Sequence, residues 1–95
     1  MKKYEAMFIL KPDLGEEAKK TLCNQISEQI TKNSGSIIQA DVWAEKRKLF
    51  FPIKKCLEGL YYLANFNAPP EAISKLKQAY KINEDILRVL ITVRE

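Results

Sequence analysis

The first apolar stretch of the chain, residues 2–10, alternates with the period of two that is typical of a β-strand. One face carries Tyr4, Ala6, Phe8 and Leu10, and the other carries Lys3, Glu5, Met7 and Ile9. The second half of the stretch is apolar on both faces. This favours a central strand, because an edge strand usually shows one polar face.

A helical pattern follows a break at residues 11–15. An apolar residue recurs at every fourth position, at Ala18, Leu22, Ile26 and Ile30. This spacing predicts an amphipathic helix that runs to about Asn33. Asp13 and Glu16 have the form of a capping box at its start, and Gly35 stands where a left-handed residue commonly ends a helix.

Extended patterns return over residues 36–53 and 60–66, with a turn expected at residues 54–59. The alternation slips near residues 44–46, which predicts a bend or bulge. Pro52 has no N–H to donate, so the first of these strands is expected at an edge or leaving the sheet. The second is bulky on both faces and is expected to be central. A helix over residues 71–81 and a strand over residues 86–94 complete the chain.

The resulting order is β-α-β-β-α-β, the split βαβ arrangement. It predicts one α+β domain over residues 1–95 with a ferredoxin-like fold. Right-handed crossovers would place both helices on one face of a four-stranded antiparallel sheet. Strands one and three would then lie in the middle, and the other face of the sheet would be uncovered.

Composition narrows the class of protein. The 95 residues fit one domain, and 46% hydrophobic with 29% charged residues is typical of a globular protein rather than a disordered one. The chain has no apolar run of membrane-spanning length and no secretory signal at its start, so a cytoplasmic protein without a membrane partner is expected. A formal net charge of +4 is a mild preference for polyanions.

The residue types argue against catalysis and against a cofactor. The sequence has no histidine, and its two cysteines, Cys23 and Cys56, lack the spacing of a metal site. An enzyme of the acylphosphatase kind would need an anion-binding loop after the first strand. Residues 11–15 supply neither an arginine nor a run of glycines for such a loop. No metal, cofactor or small-molecule substrate is therefore expected.

The most unusual segment is residues 44–55, in which basic residues flank a large apolar group. Five of the 16 basic residues fall at positions 46–55. A charge run alone is commonly a solvated surface, but Phe50 and Phe51 are consecutive and would point to opposite faces of a strand. Two binding functions remain open: an RRM-like module for single-stranded RNA, for which the characteristic motif is missing, and a docking site for protein and structured RNA together.

Four short motifs resemble one known family, bacterial small-subunit ribosomal protein six. They are Lys3-Tyr4-Glu5, Arg-Lys-Leu-Phe-Phe-Pro-Ile at 47–53, Gly-Leu-Tyr-Tyr-Leu at 59–63 and Asn-Glu-Asp-Ile-Leu-Arg at 83–88. The predicted order of elements also matches over essentially the whole chain. The resemblance implies a non-enzymatic ribosomal protein. It further implies that the protein pairs with small-subunit protein eighteen and binds the central domain of small-subunit ribosomal RNA.

The resemblance also suggests site residues. The candidate RNA contacts are Lys2, Lys3, Lys46, Arg47, Lys48 and Arg88. The candidate anchors for the protein partner are Trp43, Leu49, Phe50 and Phe51. Lysine would act as a flexible point charge, whereas arginine is able to grip a phosphate with two hydrogen bonds.

The central motif departs from the family pattern in three ways. Trp43 lies one position early, Glu45 stands where glycine is expected, and Phe50-Phe51 replaces Ala-Tyr. The missing glycine puts the shape of the bend in doubt, and phenylalanine lacks the hydroxyl of tyrosine. Many members carry an acidic or polar tail after the last strand. This sequence ends at Glu95, so contacts made by such a tail are expected to be missing.

Overall fold

The computed structural model describes residues 1–53 and 56–94, with the side chains of residues 45–47 and 50–53 excepted. Within these residues the order is β-α-β-β-α-β, as predicted. The elements are β1 Lys2–Leu10, α1 Glu16–Lys32, β2 Ser36–Ile53, β3 Cys56–Ala68, α2 Ala72–Lys81 and β4 Ile86–Val93. Neither helix is long and apolar enough to cross a membrane in the described part of the chain.

The four strands form one antiparallel sheet in the order β2-β3-β1-β4. This confirms that the first and third strands are central and that the second and fourth are at the edges. One face of β1 and β3 is buried under both helices. Its largest fully buried side chains, with those of the helices, are Phe8, Leu10, Ile26, Ile30, Phe66 and Leu76.

Tyr80 connects the two helices to the sheet. Its hydroxyl donates a hydrogen bond of 2.7 Å to the buried carbonyl oxygen of Ile26 in α1. Its ring meets the ring of Phe8 edge-on, with centroids 4.9 Å apart and planes at 88°. This geometry is favourable for aromatic pairs, so one side chain of α2 fixes the position of both α1 and β1.

The ends of α1 differ from the prediction. Gly15 is the N-cap, with φ −67° and ψ 166°, and no side chain caps the helix, so the capping box at Asp13 is wrong. At the other end Ser34, with φ 69°, takes the left-handed position predicted for Gly35. The N–H groups of Ser34 and Gly35 then bond the carbonyls of Thr31 at 3.2 Å and Ile30 at 2.8 Å, which is a Schellman motif.

Gly35 is needed for space rather than for its φ angle. A Cβ atom at this position would lie 2.6 Å from Cγ2 of Ile30 and 3.1 Å from the carbonyl oxygen of Asn67. The chain therefore passes from α1 into β2 in direct contact with β3. Glycine permits this close approach because it has no side chain.

The β2–β3 pair is longer than predicted. β3 begins at Cys56, so residues 56–59 belong to the strand and not to the turn; residues 54–55 lie outside the described residues. β1 ends where Leu10 pairs with Leu60, whereas β2 continues to pair with Gly59 and Glu58. The two strands thus run past β1 as a two-stranded extension, which we call the β2–β3 extension (residues 47–53 and 56–59). The predicted irregularity near residues 44–46 is confirmed by register shifts on both sides of Ala44.

We expect Tyr80→Phe to lower the free energy of unfolding by about 1–3 kcal/mol, because it leaves the buried carbonyl of Ile26 without its donor. Chemical denaturation at neutral pH measures this. Tyr4→Phe is the matched control, since Tyr4 is also in the core but its hydroxyl bonds no other described residue. Equal losses in the two variants would contradict a structural role for the Tyr80 hydrogen bond.

Burial raises the pKa of Tyr62 to about 12, with a further contribution from the neighbouring Cys23 thiol. The folded protein therefore holds this proton more tightly than the unfolded chain, whose tyrosine pKa is about 10. The stabilisation is complete below pH 10 and is lost as the pH rises from 10 to 12. Burial also raises the pKa of Tyr80.

Melting temperature recorded from pH 8 to pH 12 should consequently fall most steeply above pH 10. Tyr62→Phe should make the fall shallower because one titrating group is removed. Phe8→Leu, a core substitution that removes no titratable group, should lower the whole curve without changing its slope. Parallel curves for the wild type and Tyr62→Phe would show that this tyrosine does not titrate with unfolding.

Candidate RNA and protein interface

The face of the sheet opposite the helices, here called the open face, is ordered into strips by strand pairing. One strip joins Tyr61, Ile9 and Arg88; the next joins Asp41, Leu63, Met7 and Leu90; the third joins Gln39, Asn65, Glu5 and Thr92. Apart from Arg88 and Asp41 at the sheet edges, the two strips nearest the β2–β3 extension are formed by tyrosine and aliphatic side chains. Polar side chains lie towards the N-terminal end of β1.

Trp43 lies at the apolar end of the open face, on edge strand β2. Its side chain is 51% exposed, and its ring is 5.5 Å from that of Tyr61 at an angle of 65°. Beside it is a shallow cavity of about 210 Å³, bordered also by Asp41 and Leu63. A half-exposed tryptophan that is held in place by an aromatic neighbour is typical of an interface anchor.

Of the other three candidate anchors, the structure describes the side chain of Leu49 alone. Leu49 is only 8% exposed, so its side chain packs within this chain beside Gly59 rather than standing out from it. Phe50 and Phe51 have side chains outside the described residues. The predicted division of this aromatic pair between two faces stays a prediction, and so does the role of Leu49 as an anchor.

Gly59 joins the β2–β3 extension to the open face. A Cβ atom here would lie 2.5 Å from Cγ2 of Ile9 and 3.5 Å from Cδ2 of Leu49. Ile9 therefore lies directly over the Gly59 backbone. The sequence pattern assigned this glycine to a turn, and only the pairing of three strands shows that it is a packing position.

The candidate RNA contacts do not form one patch. Arg88 pairs with Ile9, at the end of the sheet from which the β2–β3 extension with Lys48 continues. Lys2 and Lys3 pair with Ala68 and Asn67 at the opposite end of the sheet. Lys3 and Ile9 are six positions apart along β1, which is roughly 20 Å of extended chain. The side chains of Lys46 and Arg47 lie outside the described residues.

The described basic candidates are available for a partner. Lys2, Lys3, Lys48 and Arg88 are exposed, and none of them makes an ion pair with another described residue. Lys48 lies opposite Glu58 in the strand pairing, and both side chains are exposed. Exposed lysines and arginines of this kind are suited to phosphate contacts, whose strength depends on salt.

Sequence reasoning missed one basic residue at the end of the sheet near Lys3. The N–H of Arg94 donates a 2.7 Å hydrogen bond to the carbonyl oxygen of Lys3, and its guanidinium lies 3.8 Å from the carboxylate of Glu5. The signal was present, because antiparallel pairing of the first and last strands brings their outer ends together. The alternation alone did not fix that register.

The thiol and acidic side chains form no candidate metal site in the described part of the chain. No group of three or more histidine, cysteine, aspartate or glutamate side chains comes together there. Burial raises the pKa of the Cys23 thiol, which keeps it in the less nucleophilic protonated form. The ammonium group of Lys11, in the loop after β1, lies 3.8 Å from the carboxylate of Asp85 and so forms an ion pair within the chain.

Comparison of the sequence with known proteins gives a consistent family. A sequence model described as Ribosomal protein S6 matches residues 3–93. The chain is 43% identical over 91 residues to small ribosomal subunit protein bS6 of Caldanaerobacter subterraneus subsp. tengcongensis, covering 96% of this chain and 95% of that protein. It is 44% identical over 91 residues to bS6 of Thermoanaerobacter pseudethanolicus, with the same coverage.

Comparison of structures agrees. The crystal structure of 30S ribosomal protein S6 from Thermotoga maritima superposes with a TM-score of 0.89 at 28% identity, covering 98% of this chain and 87% of that one. The C-terminal domain of the MgtC protein from Mycobacterium tuberculosis has a TM-score of 0.69 at 10% identity, covering 100% of this chain and 89% of that one. The second match shows a shared ferredoxin-like fold alone.

The family model and the two bacterial relatives each cover nearly the whole chain, so the expected ribosomal class is confirmed. The chain belongs to the ribosomal protein S6 family and is a structural, non-enzymatic constituent of the small ribosomal subunit, at work on the cytoplasmic ribosome.

Proposed function

We propose that this chain, as a single domain over residues 1–95, binds the central domain of small-subunit ribosomal RNA together with small-subunit ribosomal protein eighteen. The observation that carries the proposal is the placement of Trp43 and the basic residues of the β2–β3 extension on one edge strand. A half-exposed aromatic side chain, Trp43, and an exposed cation, Lys48, therefore lie on the same edge strand, β2. Such a surface suits a protein and an RNA that meet each other.

The RNA part of the proposal rests on charge and position. Lys46, Arg47 and Lys48 would contact phosphates on the β2 edge, and Arg88 would contact a phosphate on the β4 edge at the same end of the sheet. Lys2 and Lys3 would contact a second backbone segment at the other end of β1. Because the two ends are roughly 20 Å apart, a folded RNA with two nearby backbone segments fits better than a single strand lying along one groove.

The partner part of the proposal rests on apolar surface. Trp43 would be the anchor on β2 whose side chain the structure describes. Phe50 and Phe51 would add to the apolar contact, and Leu49 would support the strand from inside. Leu90, 56% exposed, continues the apolar area across the open face. Exposed hydrophobic groups in a contiguous area mark protein-binding sites more often than scattered ones do.

The heterodimer would bind RNA more tightly than this chain alone. The basic cluster at positions 46–55 has only five members, and affinity for RNA scales with the number of phosphates neutralised. A partner that adds its own contacts removes this limit. Calorimetric titration of the central-domain RNA, with and without protein eighteen, measures the difference; tight binding by this chain alone would contradict the proposal.

An RRM-like role in binding single-stranded RNA has less support. That mode needs aromatic side chains on the central strands on which bases stack. Among the described residues, Tyr61 is the one aromatic side chain on the open face of β1 and β3, and its ring is already in contact with Trp43. Glu5 and Asp41 on the same face would also repel phosphates.

Alanine at Lys46, Arg47 and Lys48 together should weaken binding of the protein pair to central-domain RNA. It should also reduce the slope of log affinity against log salt by roughly 2–3, because up to three phosphate contacts are lost. The melting temperature should change little, since exposed charges contribute little to stability. Filter binding at four salt concentrations and thermal unfolding measure the two quantities.

The matched control is alanine at Lys19, Lys20 and Lys32 of α1, which removes the same charge from the helical side of the protein. An equal loss of affinity in the two triple variants would mean that net charge, and not the extension, determines RNA binding. Unfolding of the first variant would show that these side chains are structural.

Trp43 is the only tryptophan in the sequence, so its fluorescence reports on β2. We expect binding of protein eighteen to shift its emission to shorter wavelength, because a side chain that is 51% exposed would become buried. Trp43→Phe gives the background spectrum from the partner, and Trp43→Ala should weaken the pair by about 2 kcal/mol or more if it is a principal anchor. An unchanged spectrum in the assembled pair would place the partner elsewhere.

A further inference from the structure

A groove lies between α2 and β4, away from β2. Its volume is about 470 Å³. Apolar side chains, among them Leu87 and Val89, form its floor together with Tyr80. Lys77 and Lys81 of α2 lie on its rim, and Arg88, which belongs to the open-face strip of Ile9, borders it at the strand edge. We call this feature the β4 groove. Lys77, Lys81 and Arg88 are all exposed, so these side chains have no evident role in holding the fold together.

The charge of the β4 groove is of one sign. No acidic residue lines it, and within the described chain none of its three cations makes an ion pair. The carboxylate of Asp85, on the preceding turn, lies 3.8 Å from Lys11 instead. Three unpaired cations around an apolar floor are complementary to a partner that carries both acidic and apolar groups.

The strand that borders the groove has an unpaired edge. Among the described strands β4 pairs with β1 alone, through seven residues between Ile86 and Val93 with a register shift at Leu87. An edge strand presents a series of backbone N–H and C=O groups, on alternate residues, to which an extended peptide is able to bond. An extended peptide paired with this edge would therefore lie beside the β4 groove.

We propose that the β4 groove binds an extended acidic and apolar segment of a partner protein, which adds to the sheet beside β4. RNA would use the cations but neither the apolar floor nor the strand edge. A second copy of this chain would bring the same three cations against each other across a symmetric contact. The proposal goes beyond the function proposed above and does not depend on it.

The test uses a fluorescein-labelled peptide of eight residues in which pairs of valine alternate with pairs of glutamate. Both faces of this peptide carry both residue types when it is extended. Binding to the full chain is followed by fluorescence anisotropy. Lys77→Gln with Lys81→Gln should bind it about tenfold more weakly, as the loss of two exposed ion pairs predicts. Amide hydrogen exchange along β4 should slow when the peptide is bound.

The controls separate charge, strand pairing and position. Lysine in place of glutamate in the peptide should abolish binding, and methylation of its two central backbone nitrogens should weaken it strongly. Lys20→Gln with Lys32→Gln is the matched protein variant, because Lys32 and Lys81 each lie in the last turn of a helix. This variant should bind like the wild type.

Several results would overturn the proposal. One is equal binding of the methylated and unmethylated peptides, which would leave only a nonspecific charge effect. Another is equal weakening by the two lysine pairs. A third is failure of the peptide to bind while Lys77→Gln with Lys81→Gln lowers affinity for central-domain RNA, which would make the β4 groove an RNA surface.

Discussion

The pairing of β1 with β3 is the interaction on which the rest of the structure depends. It runs without a register shift from Lys2 opposite Ala68 to Leu10 opposite Leu60. From Tyr4 onwards every second residue of β1, and every second residue of β3 opposite it, is buried under the helices, and Phe8 and Phe66 are fully buried. Because side chains alternate, a slip of one residue would expose this whole set, so the core fixes the register. The same register also decides which side chains lie on the open face, because they alternate with the buried ones.

Irregularity is confined to the strands that add to this pair. β2 shifts register at several points along its length, and β4 shifts once, between Ile9 and Leu10 of its partner. An edge strand is able to bulge and bend without disturbing the central ladder, because only one of its sides is paired. The basic segment and Trp43 lie on such a strand. The surface proposed to bind RNA and protein is therefore free to differ in shape while the core stays the same.

The elements could be predicted well from the sequence, because the spacing of apolar residues follows which side chains are buried. β1, α1 and β3 each have one regularly buried face. The prediction was wrong where the outcome depends on contacts between distant segments. Gly35 was expected to have a positive φ, but the closeness of Ile30 and of the Asn67 carbonyl decides its identity, and Ser34 takes the left-handed position. The start of β3 was missed because pairing of β2 beyond the end of β1 makes residues 56–59 extended. Neither effect has a local pattern.

The candidate site shows the same limit. Residue types identified Lys2, Lys3, Lys48 and Arg88 individually, but only strand pairing shows that the first two lie at one end of the sheet and the others at the opposite end. Arg88 is the residue at which the proposed surfaces approach each other. It pairs with Ile9 in the strip of Tyr61, and it also borders the β4 groove. Three strand spacings, roughly 14 Å, separate β2 from β4, so a partner on each edge would have room. Arg88 therefore borders both proposed surfaces, and its single guanidinium would contact only one partner at a time.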